Sequence, residues 1–433
     1  MIIDEQSIQH YLREHEIVLN HHGKRKPLAA LTPFFYDSKL ENELGTVVES
    51  IVRLHEFVAK NYEVFRDFLG YSSELDNLLV DSPTFNTNIP IARADIFLTN
   101  EGAKVVEVNC QTPGGNEDSF ALEQLFERNF QLEEGEHSCG DRIQAALEVI
   151  LNSYIEQSRF KGIEIKENPR IVLIEQRKDI EILLGRFSVF LNRARELGFD
   201  CDLYPAEEIS FTSSKMIAGG KPVDIAYVRI ITDSLDSAQD IGRFDFARRL
   251  NDSETAIVLP ISAKKADSKK TLVLFSDPRY KKLFPEYLHR DLDLISGYIP
   301  KTLDLSRPDH YSDLPRRLLS QKNQWVIKKA NSATSEGVYL GSGVDKEHWR
   351  KIVEVAINGD WIAQERLELP QIPVRYHNPK TSSTHIADLV YNVCPYSFGG
   401  RFNGFYVRAS VDDLTSAKTG SDYTILPCFK REN

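Results

Sequence analysis

The feature that most constrains this chain is a pair of short alternating runs on either side of a turn. The first run is Ile91-Ala92-Arg93-Ala94-Asp95, and the second is Val106-Glu107-Val108-Asn109. Between them lies Thr99-Asn100-Glu101-Gly102-Ala103, a turn signal flanked by apolar residues that favour strands. The sequence therefore predicts a β-hairpin. A three-residue loop whose glycine is left-handed pairs Thr99 with Ala103.

The polar side chains of this hairpin are expected to share one face. The register places Asp95 opposite Glu107 and Arg93 opposite Asn109, and side chains two residues apart on a strand point the same way. Burial of two carboxylates, an amide and a guanidinium together is unfavourable unless something fills the space between them. A divalent cation with a phosphate is the natural filler, because these oxygens suit Mg²⁺ and the arginine suits an anion.

The alternative interpretation is a half-exposed hairpin with an ordinary Arg–Asp ion pair. The residues that follow favour the functional interpretation. The run Cys110-Gln111-Thr112-Pro113-Gly114-Gly115-Asn116 ends the second strand in a Pro-Gly-Gly loop. In such a loop the backbone can approach a ligand closely.

Composition narrows the class of protein. The chain has 433 residues, of which 41% are hydrophobic and 27% charged, as in ordinary globular proteins. A net charge of −11 argues against nucleic acid or an anionic membrane as the main partner. No apolar run approaches the ~20 residues that span a bilayer, and the amino terminus does not resemble a signal peptide. Five scattered cysteines lack metal-type spacing, so a cytoplasmic protein with free thiols is expected.

Changes in composition and in predicted secondary structure along the chain indicate three regions. Apolar residues at helical spacing from Leu40 to Leu69 predict a long amphipathic helix before the hairpin. Buried-strand runs at Arg170–Ile174 and Asp224–Arg229, with a helix between them, predict a small parallel α/β sheet that serves as a substrate lobe. The expected regions are a helical part with the hairpin (1–167), the substrate lobe (168–262) and a lysine-rich lobe (263–433).

A second informative segment is the strand-like run Gln324-Trp325-Val326-Ile327-Lys328-Lys329, which leads into the small-residue loop Asn331–Val338. Backbone amides of such a loop can cover phosphates while the lysine neutralises their charge. The segment is not a P-loop, which needs Gly-Lys-Ser/Thr leading into a helix. Taken alone, it also fits an ordinary hairpin.

In combination these segments resemble an ATP-grasp nucleotide site. The usual ATP-grasp order puts the metal residues last, whereas here the hairpin precedes the lysines and the hinge-like Gln364-Glu365-Arg366-Leu367. This order resembles the circularly permuted ATP-grasp group and is similar to the synthetase part of glutathionylspermidine synthases. The resemblance covers most of the chain and also includes Tyr227-Val228-Arg229, Pro300-Lys301-Thr302 and Gly404-Phe405-Tyr406-Val407-Arg408.

The resemblance implies an α/β (α+β) fold, namely a circularly permuted ATP-grasp fold with a small parallel-sheet pre-ATP-grasp lobe. It also implies ATP and Mg²⁺, with two ions, as cofactors. Lys329 competes with Lys328, and Lys269 with Lys270, for the contacts to phosphate. The implied site residues are Asp95, Glu107 and Asn109 for the metal; Lys270, Lys328, Ser332, Gly337, Gln364, Glu365 and Leu367 for ATP; Arg93 and Arg408 for catalysis; and Gln111, Thr112, Gly114 and Gly115 for the substrate.

The function expected from this resemblance is that of an ATP-dependent carboxylate–amine ligase. A small-molecule acid, such as an amino acid or peptide, would be phosphorylated and then joined to an amine. The alternatives are an ATP-binding regulator without turnover and a ligase that acts on the thiol of a carrier protein. A homodimer is the default expectation for an enzyme of this size. The sequence does not identify the acid, the amine or the general base.

Overall fold

A computed structural model describes residues 5–19, 27–230, 244–332, 337–413 and 422–432. None of the helices in these ranges is long and apolar enough to cross a membrane. The α-helices of the described residues are α1 (Glu5–Val18), α2 (Ser38–Lys60), α3 (Tyr62–Leu69), α4 (Ser73–Asp81), α5 (Asn116–Asn129), α6 (Arg142–Lys161), α7 (Arg177–Glu196), α8 (Asp245–Asp252), α9 (Thr271–Ser276), α10 (His289–Tyr298), α11 (Leu314–Ser320) and α12 (Lys346–Ala356).

The strands form several separate sheets. Their bounds are β1 (Ala29–Ala30), β2 (Phe34–Tyr36), β3 (Ile91–Thr99), β4 (Gly102–Asn109), β5 (Glu136–Ser138), β6 (Ile171–Glu175), β7 (Cys201–Pro205), β8 (Ser210–Thr212), β9 (Lys215–Ala218), β10 (Lys221–Pro222), β11 (Ile225–Val228), β12 (Ala256–Val258), β13 (Thr302–Asp304), β14 (Trp325–Lys329), β15 (Val338–Leu340), β16 (Trp361–Glu365), β17 (Gln371–Asn378), β18 (Ser383–Phe398), β19 (Arg401–Ser410), β20 (Tyr423–Leu426) and β21 (Cys428–Arg431).

The largest sheet joins the two ends of the chain and is called the hairpin sheet below. Its strand order is β1-β17-β18-β19-β20, and β3 pairs with both β18 and β4. All these pairings are antiparallel. The predicted hairpin is therefore extended by strands that lie about 300 residues later in the sequence.

The hairpin differs from the prediction at its loop. Thr99 pairs with Gly102 rather than with Ala103, so the loop has two residues instead of three. An irregularity next to Asp95 adds one residue to β4, and Asp95 still pairs with Glu107. A bulge of this kind shifts the register by one residue. The shorter loop and the bulge thus cancel, and the predicted register at the polar residues is confirmed.

The parallel sheet has the order β12-β11-β6-β7, and all three pairings are parallel, as predicted. Its strands lie between residues 171 and 258. The residues of β6, β11 and β12 are buried throughout, which is typical of parallel strands covered on both faces. In the strand order the chain turns to opposite sides after β6 and after β7. The gap between β6 and β11 is therefore the topological switch point.

A third sheet has the order β13-β16-β14-β15 and is called the lysine sheet, because β14 carries Lys328. All of its pairings are antiparallel. Helices α11 and α12 pack on it through a separate apolar cluster that includes Leu318, Trp349 and Val353. This arrangement gives the lysine sheet its own small core.

The long helix expected over residues 40–69 is two helices. Asp37 caps the start of α2, where its Oδ1 accepts from the backbone N–H of Leu40 at 2.8 Å. The helix ends at Lys60, because Asn61 has φ −113° and ψ 36°, and α3 then begins at Tyr62. The apolar spacing continues across this break, so periodicity alone does not reveal it.

Candidate active site

The hairpin brings four predicted metal and catalytic residues together. Arg93 pairs with Asn109, and Asp95 pairs with Glu107. All four line one cleft, which encloses about 1030 Å³ of space that is open to solvent. The predicted sharing of one face is therefore confirmed by the register.

Asp95 is held between two arginines. Arg93 Nε donates to its Oδ1 at 2.8 Å, and Arg408 Nη2 donates to its Oδ2 at 2.7 Å. Burial alone would raise the pKa of Asp95, but the charges of the two arginines outweigh it and hold that pKa below its ordinary value. The Arg93 guanidinium also lies 5.5 Å from the ring centroid of Tyr406. Both predicted catalytic arginines thus meet at one carboxylate.

The opposite wall of the cleft is the lysine sheet. Lys328 Nζ donates to Gln364 Oε1 at 2.6 Å and to the carbonyl oxygen of Val106 in the hairpin at 3.2 Å. Burial lowers the pKa of Lys328 to about 8, against the opposing charge of Glu107. Lys329, the next residue, is exposed and does not line the cleft. Strand alternation therefore places Lys328, rather than Lys329, opposite the hairpin.

The predicted adenine hinge lines the same cleft, together with several apolar side chains. Gln364, Glu365 and Leu367 all line the cleft. The backbone N–H of Glu365 donates to the carbonyl oxygen of Lys301 at 2.8 Å, which fixes the end of β16. The apolar side chains that line the cleft include Phe97, Val106, Val326, Val338, Leu340, Leu367 and Leu369.

The two adjacent lysines, Lys269 and Lys270, point to different places. Lys269 Nζ lies 3.0 Å from Glu107 Oε1 and donates to the carbonyl oxygen of Ser332 at 2.5 Å. Lys270 Nζ lies 2.6 Å from Asp360 Oδ1 and is fully buried away from the cleft. The structure therefore brings Lys269 to the hairpin, and the expected contact of Lys270 with phosphate does not match its placement.

The predicted phosphate loop is described only at its two ends. Ser332 lies beside Lys269, as described above. Gly337 has φ +68°, and its carbonyl oxygen accepts from the backbone N–H of Lys329 at 2.9 Å. A Cβ at Gly337 would lie 2.8 Å from Lys329 Cβ, so this close approach requires glycine. Residues 333–336 lie outside the described residues.

The loop after β4 contacts Arg93, the predicted catalytic arginine, through its backbone. The carbonyl oxygen of Gly114 accepts from Arg93 Nη1 at 2.5 Å and from the Tyr396 hydroxyl at 2.6 Å. The backbone N–H of Gln111 donates to Asp267 Oδ1 at 3.4 Å, and Cys110 donates to the same oxygen at 2.9 Å. The loop is thus fixed at both ends.

Two residues of this loop have left-handed backbone. Thr112 has φ +50°, and Gly115, which caps α5, has φ +107°. A Cβ at Gly115 would lie 2.6 Å from the ring of Tyr406. The loop therefore packs directly against Tyr406 of β19, and the close approach of its backbone to a ligand stays a prediction.

Sequence reasoning missed the residues that β18 contributes to the site. Tyr396 pairs with Arg93, and Asn392 pairs with Arg408. Cys394 lies between them in alternation and is buried, which raises the pKa of its thiol to about 12. Alternation along residues 392–396 was the available signal, but nothing in the sequence shows that β18 lies next to β3.

A second group of buried charges lies at the carboxyl edge of the parallel sheet. Arg186 Nε donates to Asp118 Oδ1 at 3.0 Å, and Arg229 Nη1 lies 3.3 Å from Glu117 Oε1. Glu175 ends β6 at the switch point, where burial raises its pKa to about 7. In open parallel sheets, ligands bind outside the carboxyl ends of the strands at this point. The second group thus lies where a substrate is expected.

The hairpin supplies a donor set that fits Mg²⁺. Asp95 and Glu107 offer carboxylate oxygens and Asn109 offers an amide oxygen, which are ligands that Mg²⁺ prefers. Among the described residues no group of three or more His, Cys, Asp or Glu side chains is arranged for a metal. The set in the hairpin has only two carboxylates and one amide. It suits a cation that is also held by phosphate oxygens.

The overall fold matches a solved structure over almost the whole length of both chains. A glutathione synthetase-like effector from Globodera pallida superposes with a TM-score of 0.61 over 100% of this chain and 98% of that chain, at 12% identity. A putative gamma-glutamylcysteine synthetase from Methylobacillus flagellatus gives a TM-score of 0.45 over 88% of both chains, at 13% identity. No protein-family model and no curated protein matches the sequence.

At this low identity the first comparison shows the fold alone. The chain has a mixed α/β fold that it shares with a glutathione synthetase-like protein. The predicted fold class is confirmed at that level. The circular permutation and the likeness to glutathionylspermidine synthases stay predictions.

Proposed function

We propose that the cleft binds ATP with Mg²⁺ and that the protein is a carboxylate–amine ligase. The observation that carries this proposal is that Asp95, Glu107 and Asn109 line one cleft with Lys328, and that Lys269 contacts Glu107 beside it. These residues come from two separate sheets and from the segment before α9. Ion pairs that only stabilise a fold do not need an open cleft between their charges, so the cleft favours a binding site.

The shape of the cleft orients the nucleotide in this proposal. Adenine occupies the part of the cleft beside Gln364 and Leu367, against the apolar side chains that line it. The phosphates extend toward the loop that carries Gly114. Lys328 and Lys269 neutralise their charge. Asp95, Glu107 and Asn109 would hold Mg²⁺, which offsets charge on the phosphate oxygens during transfer.

The reaction then follows from the groups near Gly114. A carboxylate oxygen of the substrate attacks the γ-phosphorus of ATP, the bond to the bridging oxygen breaks, and ADP leaves. The product of this step is an acyl phosphate. Arg93 and Arg408 stabilise the negative oxygens that develop when an amine attacks its carbonyl carbon. The amine loses a proton, inorganic phosphate leaves, and an amide remains.

The carboxyl edge of the parallel sheet is the proposed place for the rest of the substrate. Arg229 and Arg186 supply positive charge there, and Glu175 supplies a carboxyl group with a pKa of about 7. Gln111, Thr112, Gly114 and Gly115 lie between this edge and the hairpin. A small acid that carries further polar groups fits such surroundings. The name of the Globodera pallida protein, a glutathione synthetase-like effector, supports an acid and an amine as the substrate class.

The proposal is tested by ADP release from Mg²⁺-ATP in the presence of amino acids, small peptides and amines, singly and in pairs. Stimulation by a matched pair, together with the mass of the corresponding amide, would establish the ligase and name its substrates. Phosphorylated acid without amide would indicate a phosphotransferase. Tight ATP binding without turnover on any pair would favour an ATP-binding regulator or a carrier-bound substrate.

A further inference from the structure

Lys270 joins two parts of the molecule at a buried junction. It is 2% exposed, and its Nζ donates to the carbonyl oxygen of Phe68 at 3.1 Å and to Ser306 Oγ at 3.2 Å. The same Nζ lies 2.6 Å from Asp360 Oδ1 and 3.8 Å from Asp304 Oδ1. One ammonium therefore connects the carboxyl end of α3 with two acidic residues of the lysine sheet.

The acidic partners of Lys270 lie at one end of that sheet. Asp304 ends β13, and Asp360 directly precedes β16, which is antiparallel to β13. Asn331 follows β14 at the same end, and its Nδ2 donates to Asp360 Oδ2 and to the carbonyl oxygen of Leu69. Two side chains thus attach this end of the lysine sheet to α3.

The junction is closely packed. Gly70 follows α3 with φ +69°. A Cβ at this position would lie 2.8 Å from Asp360 Oδ1 and 3.1 Å from Lys270 Nζ. There is no space for a side chain between the helix and the lysine sheet. A change in the lysine therefore shifts the sheet itself.

We propose that Lys270 is a positioning residue of the ATP site and acts through Asp360 and Asn331. The connection holds the lysine sheet against α3, so that Lys328 and Lys269 face the hairpin. The inference rests on the proposed function for its effect on ATP, and it assigns Lys270 no contact with the nucleotide. A misplacement of about 1 Å at a distant residue can weaken an active site by about a hundredfold.

The chain offers a matched control in Lys265. This lysine is 3% exposed and lies five residues earlier, and its Nζ donates to the carbonyl oxygen of Ser82 at 2.9 Å and to Thr84 Oγ1 at 3.1 Å. Both of these partners follow α4 and lie outside the lysine sheet. Lys265→Met therefore removes a comparable buried ammonium from a different place.

The test is a double-mutant cycle of Lys270→Met and Asp360→Asn, with Lys265→Met beside it. For each variant the dissociation constant of ATP and the amide hydrogen exchange of residues 325–332 and 361–365 are measured. Each single variant is expected to weaken ATP binding about tenfold to hundredfold and to speed exchange in both segments. The double variant is expected to be no worse than either single one, and Lys265→Met to change neither measurement.

Additive losses in the double variant would overturn the proposal, because they would show that Lys270 acts independently of Asp360. Unchanged exchange in Lys270→Met would also overturn it, whatever the effect on ATP. The exchange measurement does not need nucleotide. If the wild-type protein binds no ATP, the proposed function fails, while the exchange data still decide whether Lys270 holds the lysine sheet.

Discussion

Two buried groups of charges in this protein are built from the same residue types and differ in one respect. In the core, Arg142 donates to Glu123 Oε1 and to the carbonyl oxygen of Phe405, both at 2.6 Å, and the arginine is completely buried. In the cleft, Asp95 is held by Arg93 and Arg408. The core pair is closed, whereas the cleft group borders open space.

The balance of charge also differs between the two groups. In the core, one cation faces one carboxylate, and burial raises the pKa of Glu123 to about 7. Around the polar residues of the hairpin, four cations face two carboxylates, and the surplus of positive charge at that place is available for an anion. Burial of charge alone therefore does not identify a functional site. A group of charges with an excess of one sign that borders an open cleft is a better indication of such a site. The cations of this hairpin group are Arg93, Arg408, Lys269 and Lys328, and its carboxylates are Asp95 and Glu107, while the lining of the cleft also includes Arg366, Glu365 and Asp413.

The largest effect is expected from Glu107→Gln in the cleft. The change keeps the shape of the side chain and removes a charge that would hold Mg²⁺, so ADP formation should fall about a thousandfold. Thermal unfolding should be nearly unchanged. A coupled assay for ADP and a melting curve measure both. Normal turnover in this variant would show that the metal assignment is wrong.

The opposite result is expected from Arg142→Met in the core. The change leaves the Glu123 carboxyl buried without its partner, which should lower the free energy of unfolding by about 3–5 kcal/mol. ATP binding by the folded fraction should stay intact. Urea denaturation followed by circular dichroism measures the loss. A stable Arg142→Met protein with weakened ATP binding would remove the distinction between the two groups.

Lys328→Met removes one of the four cations around the hairpin and so tests whether these cations bind phosphate. ATP affinity should fall about a hundredfold as the phosphates lose a neutralising charge. The melting temperature should not fall, because the pKa of about 8 shows that burial disfavours the charged lysine. Calorimetric titration and a melting curve test this. Loss of stability without loss of ATP affinity would mean that Lys328 is structural.

A smaller effect is expected where the loop after β4 packs against Tyr406. Gly115→Ala places a Cβ 2.6 Å from Tyr406, so it should lower the free energy of unfolding by about 1–3 kcal/mol and impair turnover. Gly102→Ala is the control, since its Cβ meets nothing within 4 Å and only the φ of +97° opposes it. Its cost should be about 1 kcal/mol, with turnover unchanged. Equal effects of both variants on turnover would contradict the packing described for the loop.

The hairpin shows how much of the site was predictable. The expected loop set Asp95 opposite Glu107, and alternation put the four polar side chains on one face, because a strand has only two faces. The loop prediction was wrong by one residue at Thr99. The compensating bulge beside Asp95 leaves no mark in the sequence. The correct pairing therefore depended partly on two deviations that cancel.

Other parts of the site depend on contacts between distant segments. Lys269 and Lys270 are neighbours in the sequence, and only the position of α3 decides which of them reaches Glu107. Tyr396 becomes part of the site because β18 pairs with β3, although the two strands are some 300 residues apart in the sequence. Local pattern cannot show either arrangement. The parallel sheet, in contrast, was predicted from the local apolar runs of its other strands, although its edge strand β12 was not.

The most direct test of the central claim is a calorimetric titration of the wild-type protein with ATP, in the presence and in the absence of Mg²⁺. The excess of positive charge around the hairpin, together with the carboxylates of the hairpin, predicts binding at one site that becomes markedly tighter with Mg²⁺. Absence of ATP binding, or the same affinity with and without Mg²⁺, would contradict the account.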